Sequence, residues 1–396
     1  MERPDFPLFD CDHHYYEATD AFTRHLDPRL AQRCFQWVEV GGRQRLLVGE
    51  KVNRFIPNPT FDPVAKPGCL EKFFRGENPE GHDIRTAFGE LEPIRPGYRD
   101  RDARLRDLDA QGIEGCLLFP TLGVGMEQPL SHSAELTHAS LHAFNQWLDE
   151  DWGFAYQERL FAAPMISLMD PERAVAELEW VLERDARLVH VRAAPVPGPV
   201  RRSIGDPVYD PFWARVHEAG IVVAFHSGES GYGEYAHHWG EPANLEAFKG
   251  TSFGQVTQTD RAVYDAMAAL IIHGVFQRFP NVRVCTVENG SDWVSGLLRK
   301  LKKAERMHVG EFSESPIDIF RRHIWVAPYF EEDVIGLAEL IGTEHILMGS
   351  DFPHAEGLEE PADFVHELEG FDAASVRAIM YENGRSLVTR RPASAA

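Results

Sequence analysis

The residues able to do chemistry begin almost at the start. Leu8–Glu17 reads Leu-Phe-Asp-Cys-Asp-His-His-Tyr-Tyr-Glu, so a short apolar entry runs into two carboxylates and two imidazoles. Alternate side chains of a strand point the same way. Asp12 and His14 are therefore expected to project together, with Asp10 on their side and His13 opposite. A carboxylate beside an imidazole at a strand end is half of a divalent-metal site. Similar groups close later apolar runs: His190-Val191-Arg192, Phe225-His226-Ser227, Glu288-Asn289 and Gly349-Ser350-Asp351. A histidine alone at such a place is more often structural. The signal is recurrence at one position of a repeated unit.

The elements that must position these groups alternate. Apolar strand-like runs are Leu8 onward, Glu114–Pro120, Arg159–Leu168, Leu188–Ala193, Ile221–His226, Val282–Glu288, Ile324–Ala327 and Ile346–Ser350. Helical patterns lie between and after them: Arg99–Gln111, Glu135–Trp152, Pro171–Asp185, Pro211–Ala219, Arg261–Gln277, Trp293–His308, Val334–Leu340 and Ala373–Leu387. Continuous apolar strands alternating with helices mean a parallel sheet covered by helices. Eight units predict a closed (β/α)8 TIM barrel spanning 1–396 as one domain, with the chemistry at the C-terminal ends of the strands. No Gly-rich dinucleotide fingerprint follows a strand, which weakens an open doubly wound sheet.

One segment breaks the alternation. Thr19–Arg33 reads as short helical turns interrupted by Pro28. Residues 34–98 then form a Pro-rich insertion, with a hairpin expected from Phe35–Val40 and Arg45–Val48 around Gly41-Gly42. Its aromatic residues (Phe55, Phe61, Phe73, Phe74, Phe88) argue that it docks on the body as a lid.

Composition narrows the class. The chain has 396 residues, 43% hydrophobic and 26% charged, with a net charge of −22. Such a polyanion argues against nucleic acid or an acidic membrane as partner. The 5 cysteines lack C-x-x-C spacing, which fits a reducing compartment and no disulfide framework. No secretory signal is read at the N-terminus and no apolar run reaches membrane-spanning length, so a cytoplasmic protein is expected.

The motif set resembles the amidohydrolase superfamily, in the branch containing aminocarboxymuconate-semialdehyde decarboxylase and the resorcylate decarboxylases. The matching pieces are Asp12-x-His14-x-x-Glu17, His226, Gly274-Val-Phe-Gln-Arg-Phe-Pro280, Glu288-Asn-Gly-Ser-Asp-Trp293, Gly349-Ser-Asp-Phe-Pro353 and Asn383-Gly-Arg. The resemblance implies metal ligands at Asp12, His14, His226 and Asp351, and a homodimer. Glu288 stands where decarboxylases of the branch carry a histidine, so it is expected either to ligate metal or to act as acid or base.

Two carboxylates and two imidazoles leave open positions on one divalent ion, Zn, Mn or Fe. The leading expectation is hydrolysis of a carboxylic-acid derivative (amide, ester, lactone or thioester) by metal-activated water, with Asp351 moving the proton. One alternative is non-oxidative decarboxylation of an aromatic or dienoic acid. Another is a metal-free barrel with a binding or scaffold role. For a small-molecule substrate, the candidate contacts are Arg192, His354, His238 and Trp239. His273, at the far end of its helix, is expected to be structural.

Overall fold

The computed structural model describes residues 3–198, 202–242, 248 and 250–392. Among the described residues ten strands form: β1 (Leu8–Tyr15), β2 (Phe35–Val40), β3 (Arg43–Val48), β4 (Lys51–Val52), β5 (Ile113–Pro120), β6 (Leu160–Ala162), β7 (Leu188–His190), β8 (Val222–His226), β9 (Arg283–Val287) and β10 (Ile324–Val326). Parallel ladders join β1–β5–β6 and β7–β8–β9–β10. Between β6 and β7 the ring continues through the Met165–His190 bridge and the bond from His190 N to Pro164 O. The Arg159–Leu168 run is therefore regular only over its first half, because Pro164 has no N–H to give a ladder.

The eighth position carries no regular strand. Ile346 bridges Val326, Leu347 N donates to Val326 O, Cys11 N donates to Met348 O, and His13 bridges Phe352. These contacts close the ring of parallel strands into a barrel. Ile346–Ser350 is thus an extended staple between β10 and β1, where a regular strand was expected.

The helices start and stop as their end residues dictate. Asp100 caps Arg101–Gln111 by accepting from Ala103 N, and Gly112 ends it at φ 73°. Pro28 begins the helix Pro28–Cys34 at its first turn, where a missing N–H costs nothing, so the expected interruption is a start. Gly274, at φ 73°, splits the expected Arg261–Gln277 helix into Arg261–Ile272 and Val275–Arg278. The last helix is interrupted by a π segment at Ala378–Glu382.

Inside the barrel, Phe9, Cys11, Leu117, Phe119, Phe161, Val222, Ala224, Cys285 and Val287 pack together. On β8 the inward set Val222, Ala224 leads by period two to His226. On β1 it does not: four residues (Asp10 to His13) stand opposite three of β5 (Cys116 to Leu118). This bulge flips the parity. Asp12 and His14 turn into the mouth, whereas Asp10 joins His13 on the outer side. The expected grouping of Asp10 with Asp12 and His14 fails for this reason.

Arg104 anchors that outer side. It is fully buried (0% exposed), and its Nη2 donates to His14 O at 2.7 Å and its Nε to Gly97 O at 2.6 Å. Its Nη1 lies 2.8 Å from His13 Nδ1. The insertion docks over the mouth from the other direction. The antiparallel sheet β2–β3–β4 leads into a strap in which Gly68 N donates to His354 O (3.0 Å) and Leu70 N to Ala355 O (2.7 Å). Phe61 stacks on Tyr16 at 4.7 Å. Replacing Arg104 with Leu leaves buried carbonyls without donors. It is expected to cost ~2–4 kcal/mol in denaturant unfolding, and a loss below about 1 kcal/mol would contradict this anchoring role.

Candidate metal centre

Five donor atoms converge where the strand ends meet. His14 Nε2 lies 3.1 Å from Asp12 Oδ1, 3.3 Å from Asp351 Oδ1 and 3.6 Å from Glu288 Oε2. His226 Nε2 is 3.2 Å from His14 Nε2, 3.1 Å from Glu288 Oε2 and 3.5 Å from Asp12 Oδ1. Donors held about 2.1 Å from one ion at tetrahedral to octahedral angles stand roughly 3.0–3.4 Å apart. The spacing of Asp12, His14, His226 and Glu288 is that of donors able to surround a single divalent ion, and Asp351 joins His14 and Glu288 in an overlapping group with His354. The donor set, three carboxylates with two imidazoles, fits such an ion.

Local backbone explains how each ligand arrives. Gly349 packs against Asp12, and a Cβ there would sit 2.8 Å from that of Asp12, so only glycine permits the approach. Ser350 N and Asp12 N both donate to Asp10 Oδ1 at 3.0 Å, and Ser350 Oγ donates to Asp10 Oδ2. Asp10 is thus a buried strut that sets the two ligand-bearing turns against each other. Glu288 and Asp351 sit at φ 53° and 56°, left-handed values that non-glycine residues hold only when their surroundings impose them. Tyr329 Oη donates to Glu288 O at 2.9 Å, and Asn289 Nδ2 to Phe225 O at 2.9 Å.

Electrostatics follow from the crowding. Burial, then the Asp351 charge, pushes the Glu288 carboxyl well above its ordinary range. Burial, then the charges of Glu356, Asp12 and Asp10, does the same to Asp351. Asp12 is also buried, but bonds from His14 and His226 outweigh that and hold it low. Burial keeps the His14 imidazole well below its usual value.

A second layer was only half visible in the sequence. His354 is buried, and its Nδ1 sits 2.6 Å from Asp351 Oδ1. Its Nε2 is 2.9 Å from Thr121 Oγ1, which donates to Tyr15 O at 2.8 Å. Thr121 follows the end of β5; the sequence reads Glu114–Pro120 as a strand, but the residue beyond its end is not among the strand-end groups. Glu17 lies off the centre: it accepts from Leu122 N and Gly123 N at 2.8–3.0 Å and pins the loop after β5. Arg192 lines a cavity beside His226. His238 and Trp239 do not join the cluster: both are exposed, Trp239 by 64%, its ring 5.9 Å from Phe253. The loop after β8 carries both out to the surface. His273 bonds to Ser203 Oγ at 2.6 Å, outside the site.

Burial and crowding raise the Glu288 carboxyl, so protons compete with an incoming cation there. Metal affinity is expected to rise with pH and binding to release protons, measured by calorimetry in buffers of different ionisation enthalpy. Glu288→Gln is expected to weaken binding at least about 10-fold, and Asp12→Ala with His14→Ala to abolish it. Affinity independent of both pH and Glu288 would remove Glu288 from the ligand set.

The family described as Amidohydrolase matches residues 9–389. No curated protein matches the chain. An amidohydrolase from Mycobacterium avium subsp. paratuberculosis K-10 is 47% identical over 98% of this chain and 100% of its own, with a TM-score of 0.93. A 5-carboxyvanillate decarboxylase from Novosphingobium aromaticivorans DSM 12444, solved with manganese and 4-hydroxy-3-methoxy-5-nitrobenzoic acid, is 14% identical over 97% of this chain and 96% of its own (TM-score 0.59). A dihydroxybenzoic acid decarboxylase from Polaromonas sp. JS666, with manganese and 2-nitroresorcinol, is 18% identical over 81% and 93% (TM-score 0.56). The latter two share the fold. With its motifs, barrel and strand-end cluster in place, the chain belongs to the amidohydrolase family of enzymes.

Proposed function

We propose that this chain is a metal-dependent carboxy-lyase that releases carbon dioxide, without a redox cofactor, from a small aromatic or dienoic acid. The observation that carries the reading is the hydrogen-bond chain Asp351–His354–Thr121. Thr121 gives its only proton to the Tyr15 carbonyl, which has none to return. His354 Nε2 must then donate to Thr121 Oγ1. The 2.6 Å contact between His354 Nδ1 and Asp351 Oδ1 consequently holds a proton between them. The residue pair beside the donor cluster is therefore loaded as an acid.

Decarboxylation needs an acid. The bond from ring or chain carbon to the carboxylate breaks, its electron pair stays on that carbon, and the proton of the Asp351–His354 pair is taken up there. A divalent ion in the cluster, manganese being favoured by the oxygen-rich donor set, would draw charge from the substrate's carboxylate and neighbouring oxygen. Asp12, His14, His226, Glu288 and Asp351 would hold it. The burial of Asp351 and His354 (9% and 8% exposed) keeps bulk water from competing for the proton. The manganese-bound decarboxylases that share the fold support the same reading.

The expected hydrolysis of a carboxylic-acid derivative is the second reading, favoured by Glu288 in place of the family histidine. One assay separates them. Metal-loaded protein is offered hydroxybenzoates, dienoic acids, esters and thioesters in deuterated water. Carbon dioxide release with deuterium at the vacated carbon is expected. Asp351→Asn and His354→Gln should each lower kcat about 10²–10⁴-fold. Acyl cleavage with no carbon dioxide from any acid would replace the lyase by the hydrolase.

A further inference from the structure

The turn that carries Glu288 is gripped from the neighbouring strand end. Glu332, on the loop after β10, lies outside the donor cluster. Its Oε1 accepts from Ser291 N at 3.0 Å. Its Oε2 accepts from Ser291 N at 2.7 Å, Ser291 Oγ at 2.8 Å and Tyr329 N at 3.0 Å. Ser291 begins the helix Asp292–Met307, where unpaired N–H groups and the helix dipole favour a carboxylate. The same loop reaches Glu288 itself, because Tyr329 Oη donates to Glu288 O at 2.9 Å.

Gly290 records how closely the two loops meet. It sits at φ 59°, and a Cβ there would lie 2.5 Å from Glu332 Oε1 and 2.9 Å from the Tyr329 ring. From the other flank, Asn289 Nδ2 donates to Val287 O at 2.7 Å, and Trp293 Nε1 donates to Gly290 O at 2.9 Å. Glu288 is thereby held at φ 53°, which a glutamate keeps only under constraint. Its carboxylate has a different set of neighbours: Oε2 approaches His226 Nε2 at 3.1 Å and His14 Nε2 at 3.6 Å, both donors of the cluster. The direction of that carboxylate is therefore set through the backbone of the turn, and the backbone is set by Glu332 and Tyr329.

We propose that Glu332 and Tyr329 are positioning residues that hold Glu288 against the cation, and so raise the affinity of the centre for manganese relative to zinc. Zinc is satisfied by four donors, whereas manganese takes a larger shell rich in oxygen. A carboxylate that is fixed in place adds to the second ion and is dispensable to the first. The inference rests on Glu288 belonging to the metal centre. It is independent of which acid the enzyme acts on.

Calorimetric titration of the metal-free full-length protein with manganese, and separately with zinc, tests this. Glu332→Gln and Tyr329→Phe are each expected to weaken manganese about 10–100-fold and zinc about threefold or less. The electron paramagnetic resonance spectrum of bound manganese should change in both variants, without any turnover. In a Glu288→Ala background neither substitution should weaken manganese further, because nothing is left to position. Equal losses for the two ions, or a loss in the Glu288→Ala background as large as in the unaltered protein, overturns the proposal and leaves a structural contact. Tyr329→Phe removes one hydroxyl only and carries the test if Glu332→Gln does not fold. The expected selectivity with no carbon dioxide release from any acid defeats the lyase reading alone, and an unaltered protein that binds neither ion defeats both.

Discussion

Three carboxylates and two imidazoles whose nearest pairs stand 3.1–3.6 Å apart at a barrel mouth crowd like charge together unless a positive charge stands among them. Protons relieve that repulsion in part, in line with the raised carboxyls of Glu288 and Asp351. A divalent cation is the other solution. The rest of the site serves to keep that unfavourable arrangement in place. Backbone at Glu288 and Asp351 is held in left-handed conformations, and hydrogen bonds from both flanks secure it. Stored strain of this kind is common where geometry must be preset for a ligand.

The holding framework runs from the outside inward. Arg104, buried on a helix that covers β1, fixes the His14 carbonyl and the His13 ring. Asp10 ties the turn of Asp12 to that of Asp351 through Ser350. The Gly349-Ser350-Asp351 motif thereby acquires three distinct jobs: close approach, strut contact and metal-facing carboxylate. The strap from the insertion then bonds to the backbone of His354 and Ala355, so the acid pair and the roof of the pocket are one mechanical unit.

Much of this was legible in residue types. Helix ends at Gly112 and Gly220, the hairpin at Gly41-Gly42 and the inward run to His226 follow from rules that depend on neighbours in the chain. The five candidate donors stood out in the sequence because strand ends repeat. What escaped depends on partners far away in sequence. A bulge in β1 is set by its fit to β5, so simple alternation misplaced Asp10. The eighth strand is a bridge rather than a ladder, because its hydrogen bonds are divided between β10 and β1. Thr121 matters through its bonds to Tyr15 and His354, partners far from it in sequence. Trp239 and His238 were drawn to the pocket by residue type, whereas their loop faces solvent.

The central claim is that one cation is bound where the five donors converge. Anomalous diffraction at the manganese edge, on crystals grown with that ion, addresses it directly. The account predicts a single peak within about 2.3 Å of Asp12, His14, His226, Glu288 and Asp351 together. A peak with Glu288 turned away, two separate peaks, or no peak at full manganese occupancy elsewhere would contradict it.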